Sequence, residues 1–129
     1  MKSRSTLIFL FFTAPVFANA SYSPVCGLMD RAQGAMNVVA SNLANVNTTR
    51  TPEGGPYLVQ ELICASDVCE VEEIAKTKRV YEPSHIDADP EGFVTYPDID
   101  VSDEISTMLM LVRIYEKAAT VCRGPADSN

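Results

Sequence analysis

MNVVASNLANVNTTRTPEGGPY, Met36 to Tyr57, runs from an amphipathic helical pattern into Asn-rich ground and then into a cluster of turn residues. Met36, Val39, Leu43 and Val46 are spaced three, four and three apart, which suits one face of a helix. Ser41, Asn42, Asn45 and Asn47 follow within the same span. Such side chains compete for backbone hydrogen bonds and serve a helix interior poorly, so the cluster predicts a used surface or a helix end. Thr51-Pro52-Glu53-Gly54-Gly55-Pro56 then stops any helix.

Upstream, Val25, Met29 and Ala32 extend the same four-three alternation over three heptads, the a/d spacing of a coiled-coil seam. Ala32, Ala35, Ala40 and Ala44 leave room for a partner helix to approach. A second seam lies near the other end of the chain: Val101, Ile105, Met108, Val112, Tyr115, Ala119 and Cys122. Carboxylates and a serine precede it, and Asp100 or Ser102 is the expected cap. Arg123-Gly124-Pro125 is the expected stop. Neither helix can bury its stripe alone, so the two are predicted to pair. An antiparallel pair puts Cys26 opposite Cys122, and a cystine there would contribute about 4.7 kcal/mol in the chain-entropy model.

Between the helices the pattern changes. Residues 57–64 and 69–74 read as two short strands around a loop of Ala65-Ser66-Asp67-Val68, which a Cys64–Cys69 cystine would brace by about 2 kcal/mol. Lys78 to Tyr81 reads as a third strand. Pro83, Pro90, Pro97 and Gly92 make an irregular connection holding the short segment Phe93 to Tyr96. The predicted fold class is therefore α+β: N- and C-terminal helices paired as an antiparallel coiled coil, with a small β-hairpin-rich middle. The expected division is a signal peptide over 1–20, the first helix over 21–50, the β-rich and irregular middle over 51–99, the second helix over 100–123, and a disordered tail over 124–129.

Lys2 and Arg4, the apolar run Leu7 to Phe12 and the Ala18-Asn19-Ala20 pattern give the secretory reading of the first segment. That run is about half of the roughly 20 apolar residues a membrane span needs, so no stable membrane insertion is expected after cleavage. Ser23-Pro24-Val25 before Cys26 lacks the small residue of a lipid-attachment site. Removing the segment shifts the formal charge from -7 to -9 over 109 residues, because Lys2 and Arg4 leave with it. An acidic chain of this kind does not suit nucleic acid or anionic lipid, whose phosphates require clustered Lys and Arg. Four cysteines in an exported chain read as structural cystine. Cys64 and Cys69 are too far apart for a redox Cys-x-x-C, and a zinc site would want tighter pairs with His.

No catalytic, cofactor or metal constellation is predicted. The one histidine, His85, sits among prolines without a nucleophile of its own, and reads as structural. Asp87, Asp89 and Asp98 imitate parts of a calcium loop, but Pro90 follows the second Asp and an Asp stands where a bidentate Glu belongs. An Asp-rich turn is the reading kept.

Met36 to Thr49, continuing through Thr51-Pro52-Glu53-Gly54-Gly55-Pro56-Tyr57, resembles the N-terminal signature of the bacterial flagellar rod, hook and hook-filament family, and is most similar to its proximal-rod branch. Tyr81-Glu82-Pro83-Ser84-His85, Ala88, Gly92-Phe93-Val94, Pro97, Val101 and Glu104 resemble the segment leading into that family's last helix. The resemblance spans about residues 25 to 121. It implies a structural subunit without an active site, whose partners are other rod subunits in homo- and hetero-oligomeric contact, located at the periplasmic basal body. It also implies that Ser41, Asn42, Leu43, Ala44 and Asn45 are subunit-contact residues. Two features depart from the family pattern: the secretory signal, and a last helix several turns shorter than usual. They support an alternative, a periplasmic paralogue that acts as a small soluble binding module and does not polymerise.

Overall fold

The computed structural model describes residues 24–122. The expected signal peptide, the expected tail and the expected stop at Arg123-Gly124-Pro125 lie outside them. The element order is helix α1 (Pro24–Ala44), strands β1 (Val59–Ala65), β2 (Val68–Ile74), β3 (Thr77–Tyr81) and β4 (Phe93–Pro97), and helix α2 (Val101–Cys122). This is the α+β class expected, with the helices at the two ends packed on each other, α1 also packed on β1, and two antiparallel hairpins between them. None of the helices among the described residues is long and apolar enough to cross a membrane.

Helix α1 opens on Pro24, whose missing N–H is no loss in a first turn where N–H groups have no helical partner. It stops at Ala44, short of Val46 and of the expected boundary at 50. The cause is local. Asn45 donates its Nδ2 to the Ser41 carbonyl at 2.9 Å, and its Oδ1 accepts from the Thr48 hydroxyl at 3.1 Å. The Asn45 N–H is shared between the Ser41 (3.2 Å) and Asn42 (3.1 Å) carbonyls, so this one residue closes the last turn and ties it to the connection that follows. Helix α2 starts where Asp100 Oδ1 accepts from the N–H groups of Ser102 (2.8 Å) and Asp103 (3.1 Å), so Asp100 is its N-cap.

The helices run antiparallel. Cys26 and Cys122 bring the start of α1 to the end of α2, with Cα atoms 5.3 Å and sulfurs 2.08 Å apart. Asn42 and Glu104 join the opposite ends. On α1 the predicted stripe faces inward, but Val38 is buried beside Val39. The buried arc is wider than a two-position seam because β1 covers part of α1 as well as α2.

On α2 the predicted seam holds at Met108, Tyr115, Ala119 and Cys122, which are buried or half-buried, and fails at Val101, Ile105 and Val112, which are exposed; Leu111 and Ala118 are buried in addition. Glu104 and Leu111 occupy the inward angle assigned to Ile105 and Val112. A carboxylate takes an inward place here because Asn42 donates to it.

β1 and β2 form an antiparallel hairpin in which Ala65 pairs with Val68, so the loop is the two residues Ser66-Asp67 rather than four. Ser66 adopts a left-handed φ of 56°, a conformation this tight turn imposes on a residue with a side chain. Cys64 pairs with Cys69 in register, sulfurs 2.12 Å apart. The face of the hairpin carrying Leu62 meets α1, where Leu62 Cδ2 approaches the Cβ position of Gly34 to 3.5 Å.

The segment Phe93 to Tyr96, expected only as a short piece of an irregular connection, is the partner of β3, with Tyr81 opposite Phe93 and Thr77 opposite Pro97. The chain reverses through Glu82–Gly92, where Gly92 has φ +87°. A Cβ on Gly92 would meet Tyr81 Cε2 at 2.8 Å and Pro83 Cβ at 3.1 Å. The exposed Tyr81 ring can swing away but the proline cannot. Gly92→Ala is therefore expected to lower unfolding free energy by about 1–3 kcal/mol, read as a shift of the urea midpoint at constant slope.

The buried apolar residues are few and mostly small: Ala32, Val38 and Val39 from α1, Val59, Val94 and Ile99 from the middle, and Leu111, Ala118 and Ala119 from α2. A domain of this size buries a limited fraction of its surface, so covalent closure matters to it.

Candidate functional site: the end of the first helix

The Asn-rich end of α1 is where the helices, the first hairpin and the connection 45–57 meet. Asn42 is the centre of that junction. Its side chain is only 2% exposed. Nδ2 donates to the Gln60 carbonyl (3.0 Å) and to Glu104 Oε1 (3.3 Å). Oδ1 accepts from the Gln60 N–H (2.9 Å) and from the Tyr57 hydroxyl (3.2 Å). Four bonds satisfy both donors and both acceptor sites of the amide. Burial raises the Tyr57 hydroxyl pKa, with Glu73 and Glu104 adding to the shift, which keeps that hydroxyl a donor.

Asn42 is thus engaged inside the subunit, with all four bonding positions of its amide filled. Asn45 is engaged with its own helix end. Ser41 and Leu43 are half-buried and Ala44 is exposed, so the outward edge of the motif is carried by those three with Asn45. Sequence reasoning missed Tyr57, Gln60 and Glu104. The signal for Asn42 was present, since it lies three and four residues after Val39 and Val38, at the buried angle of the helix.

Next to this junction the turn Thr51 to Pro56 folds on itself: the Thr51 N–H donates to the Gly55 carbonyl at 2.8 Å and the Gly54 N–H to the Thr51 carbonyl at 3.0 Å. It lies beside the Asp-rich turn. Asp87 accepts from the Thr49 hydroxyl at 2.8 Å and pairs with Arg50. Asp89 Oδ1 accepts from the N–H groups of Phe93 (2.8 Å) and Glu91 (3.0 Å), while Oδ2 pairs with Arg79. The Arg79 guanidinium also stacks over Phe93, 4.6 Å from its centroid. The His85 Nδ1 accepts from the Asp87 N–H at 3.0 Å and its ring packs edge-on against Tyr96. His85 thereby shapes the turn. Among the described residues no three His, Cys, Asp or Glu side chains converge as a metal-ligand set.

Both aspartates are held below the ordinary carboxylate range. For Asp89 the first cause is the Phe93 N–H bond, with the Arg79 contact adding to it and burial opposing. For Asp87 it is the Thr49 hydroxyl bond, again against burial, with Arg50 adding. A depressed folded-state pKa gives stability that is complete above the unfolded value, near about 4, and is lost as pH falls through the folded value. Urea midpoints should therefore decline as pH is lowered from about 5 toward 3. Asp89→Asn should flatten that limb; an unchanged slope would remove Asp89 as a contributor.

The class these features define is a structural one: an antiparallel helix pair locked at both ends, with a saturated polar junction and no assembled reactive centre among the described residues. Residues 27–50 match the family model described as flagella basal body rod protein. The flagellar basal-body rod protein FlgC of Borreliella burgdorferi is 31% identical over 115 residues, covering 67% of this chain and 76% of that protein. FlgC of Salmonella typhimurium is 32% identical over 93 residues, covering 63% of this chain and 69% of that protein. FlgC of Aquifex aeolicus is 34% identical with the same coverage. The chain belongs to the FlgC-type flagellar basal-body rod protein family.

Proposed function

We infer that this chain is a structural, non-catalytic subunit of the flagellar basal-body rod, contributing to flagellum assembly and motility. The observation that carries the reading is the rod signature at the end of α1, held rigid by the Asn42 junction, on a chain related to rod proteins along most of its length. That junction fixes the helix end, and the outward edge Ser41, Leu43, Ala44 and Asn45 would meet neighbouring rod subunits, of its own kind and of others. Segment 1–20 would direct the chain to the periplasm and be removed there, where Cys26–Cys122 and Cys64–Cys69 would be oxidised. The rod role of the relatives favours this over a soluble binding module that does not polymerise.

Purified basal bodies test it. The protein should co-purify with the rod fraction, and a deletion strain should lose motility. Absence from that fraction with motility retained would sink the structural role.

A further inference from the structure

Two apolar faces of the subunit lack a partner among the described residues, and their charges are opposite. The first is the outer face of α2, pointing away from α1. Ser106, Leu109, Met110, Arg113, Ile114 and Lys117 line a shallow groove of about 440 Å³ there. Leu109 and Met110 are more than half exposed. Arg113 and Lys117, one helical turn apart, form no ion pair among the described residues.

The second is the outer face of the first hairpin. Alternation puts Leu62, Cys64, Cys69 and Val71 on the α1 side, leaving Glu61, Ile63, Val68, Glu70, Glu72 and Ile74 on the other. All six are exposed. Residues 59–74 contain five acidic side chains and no Lys or Arg. Among the described residues only Asp67, at the tip, finds a cation, Arg31. Glu61 stands directly opposite Glu72, a like-charge cross-strand pair that destabilises an isolated sheet. A basic surface docked on this face would remove that cost.

We propose that the outer face of this hairpin docks on the outer groove of α2 in a second copy of the chain, Ile63 and Val68 against Leu109 and Met110, and Glu61 and Glu72 facing Arg113 and Lys117. The two faces differ, so the contact is heterologous: each copy gives its hairpin to one neighbour and its groove to another, and the assembly extends in one direction. It deepens the rod-subunit reading, on which its biological setting rests, by naming the surfaces through which copies meet.

Sedimentation velocity over a concentration series tests it, on protein purified with its cystines oxidised. The unaltered chain should self-associate, more strongly at low salt. R113E/K117E, which spoils the groove, and E61K/E72K, which spoils the hairpin, should each weaken association about tenfold or more. An equimolar mixture of the two sets unaltered face against unaltered face at one contact and reversed charges against reversed charges at the other, so both contacts regain complementarity and association should return. Circular dichroism melts confirm that each variant folds, and R113Q/K117Q with E61Q/E72Q replaces any that does not. A monomeric unaltered chain, variants that associate as it does, or a mixture that stays monomeric would each overturn the contact. A mixture that regains association while the protein is absent from basal bodies keeps the contact and fails the rod reading. The reverse pair of results fails the contact alone.

Discussion

Replacing Cys26 and Cys122 together with serine is expected to lower unfolding free energy by about 4–5 kcal/mol, more than any surface substitution in the chain. The two cysteines are 96 residues apart in sequence and join the start of α1 to the end of α2. With that link, the unfolded chain is a closed loop that includes both hairpins and the whole connection; without it, the helix ends must find each other against the full loop-closure entropy. The buried residues at that end are Ala32, Ala118 and Ala119, which contribute little apolar area to oppose the loss. In a domain of about 100 residues the change corresponds to a drop in melting temperature of roughly 20 °C or more. Cys64→Ser with Cys69→Ser closes only a short loop, sequence separation 5, and should cost about 2 kcal/mol. Urea unfolding of the two double variants beside the unaltered protein orders them. Equal losses would mean that the long link does not constrain the unfolded ensemble.

That pair of helices was legible in the sequence because its evidence is local and repeated. Heptad spacing, Asp100 before the second helix and a cysteine near each outer end all point to one arrangement. The rotation of α2 was not legible, and the reason is physical. Val101, Ile105 and Val112 are apolar and regularly spaced, so a pattern search assigns them to the core, but the structure leaves them in solvent and turns Leu111 inward. An amphipathic helix with two apolar stripes does not say which one its own subunit covers. On the covered face Glu104, a half-buried residue no pattern would turn inward, accepts from an amide on the other helix, and Cys122 is tied to Cys26. The β3–β4 pairing was hidden for another reason. Its register depends on Asp89 collecting the N–H groups of Glu91 and Phe93 while holding Arg79, and on Gly92 at positive φ, none of which alters the hydrophobic pattern.

The same distinction decides what Asn42 does, and substitution there should have the second largest effect. If it were only a contact residue on the surface, Asn42→Ala would leave the free subunit within about 0.5 kcal/mol of the unaltered protein. The geometry requires more. Removing the amide, itself only 2% exposed, strips partners from the Gln60 N–H and carbonyl, the Tyr57 hydroxyl and Glu104, all on half-buried residues. Each polar group stranded in this way costs about 1–3 kcal/mol, and with partial relaxation a total of about 3 kcal/mol is expected. Asn42→Asp is the sharper variant, because it keeps the shape and the acceptor and replaces the donor with a carboxylate oxygen beside Glu104 and the Gln60 carbonyl. It should be at least as damaging, and more so above the carboxylate range than below it, since protonation restores a donor. Glu104→Gln offers an amide to that carboxylate, so the double variant should recover about 1 kcal/mol or more of the loss, read from a double-mutant cycle in urea. Additive losses across the cycle would show that Asn42 and Glu104 do not act on each other, and the end of the first helix would then have to be held by Gln60 and Tyr57.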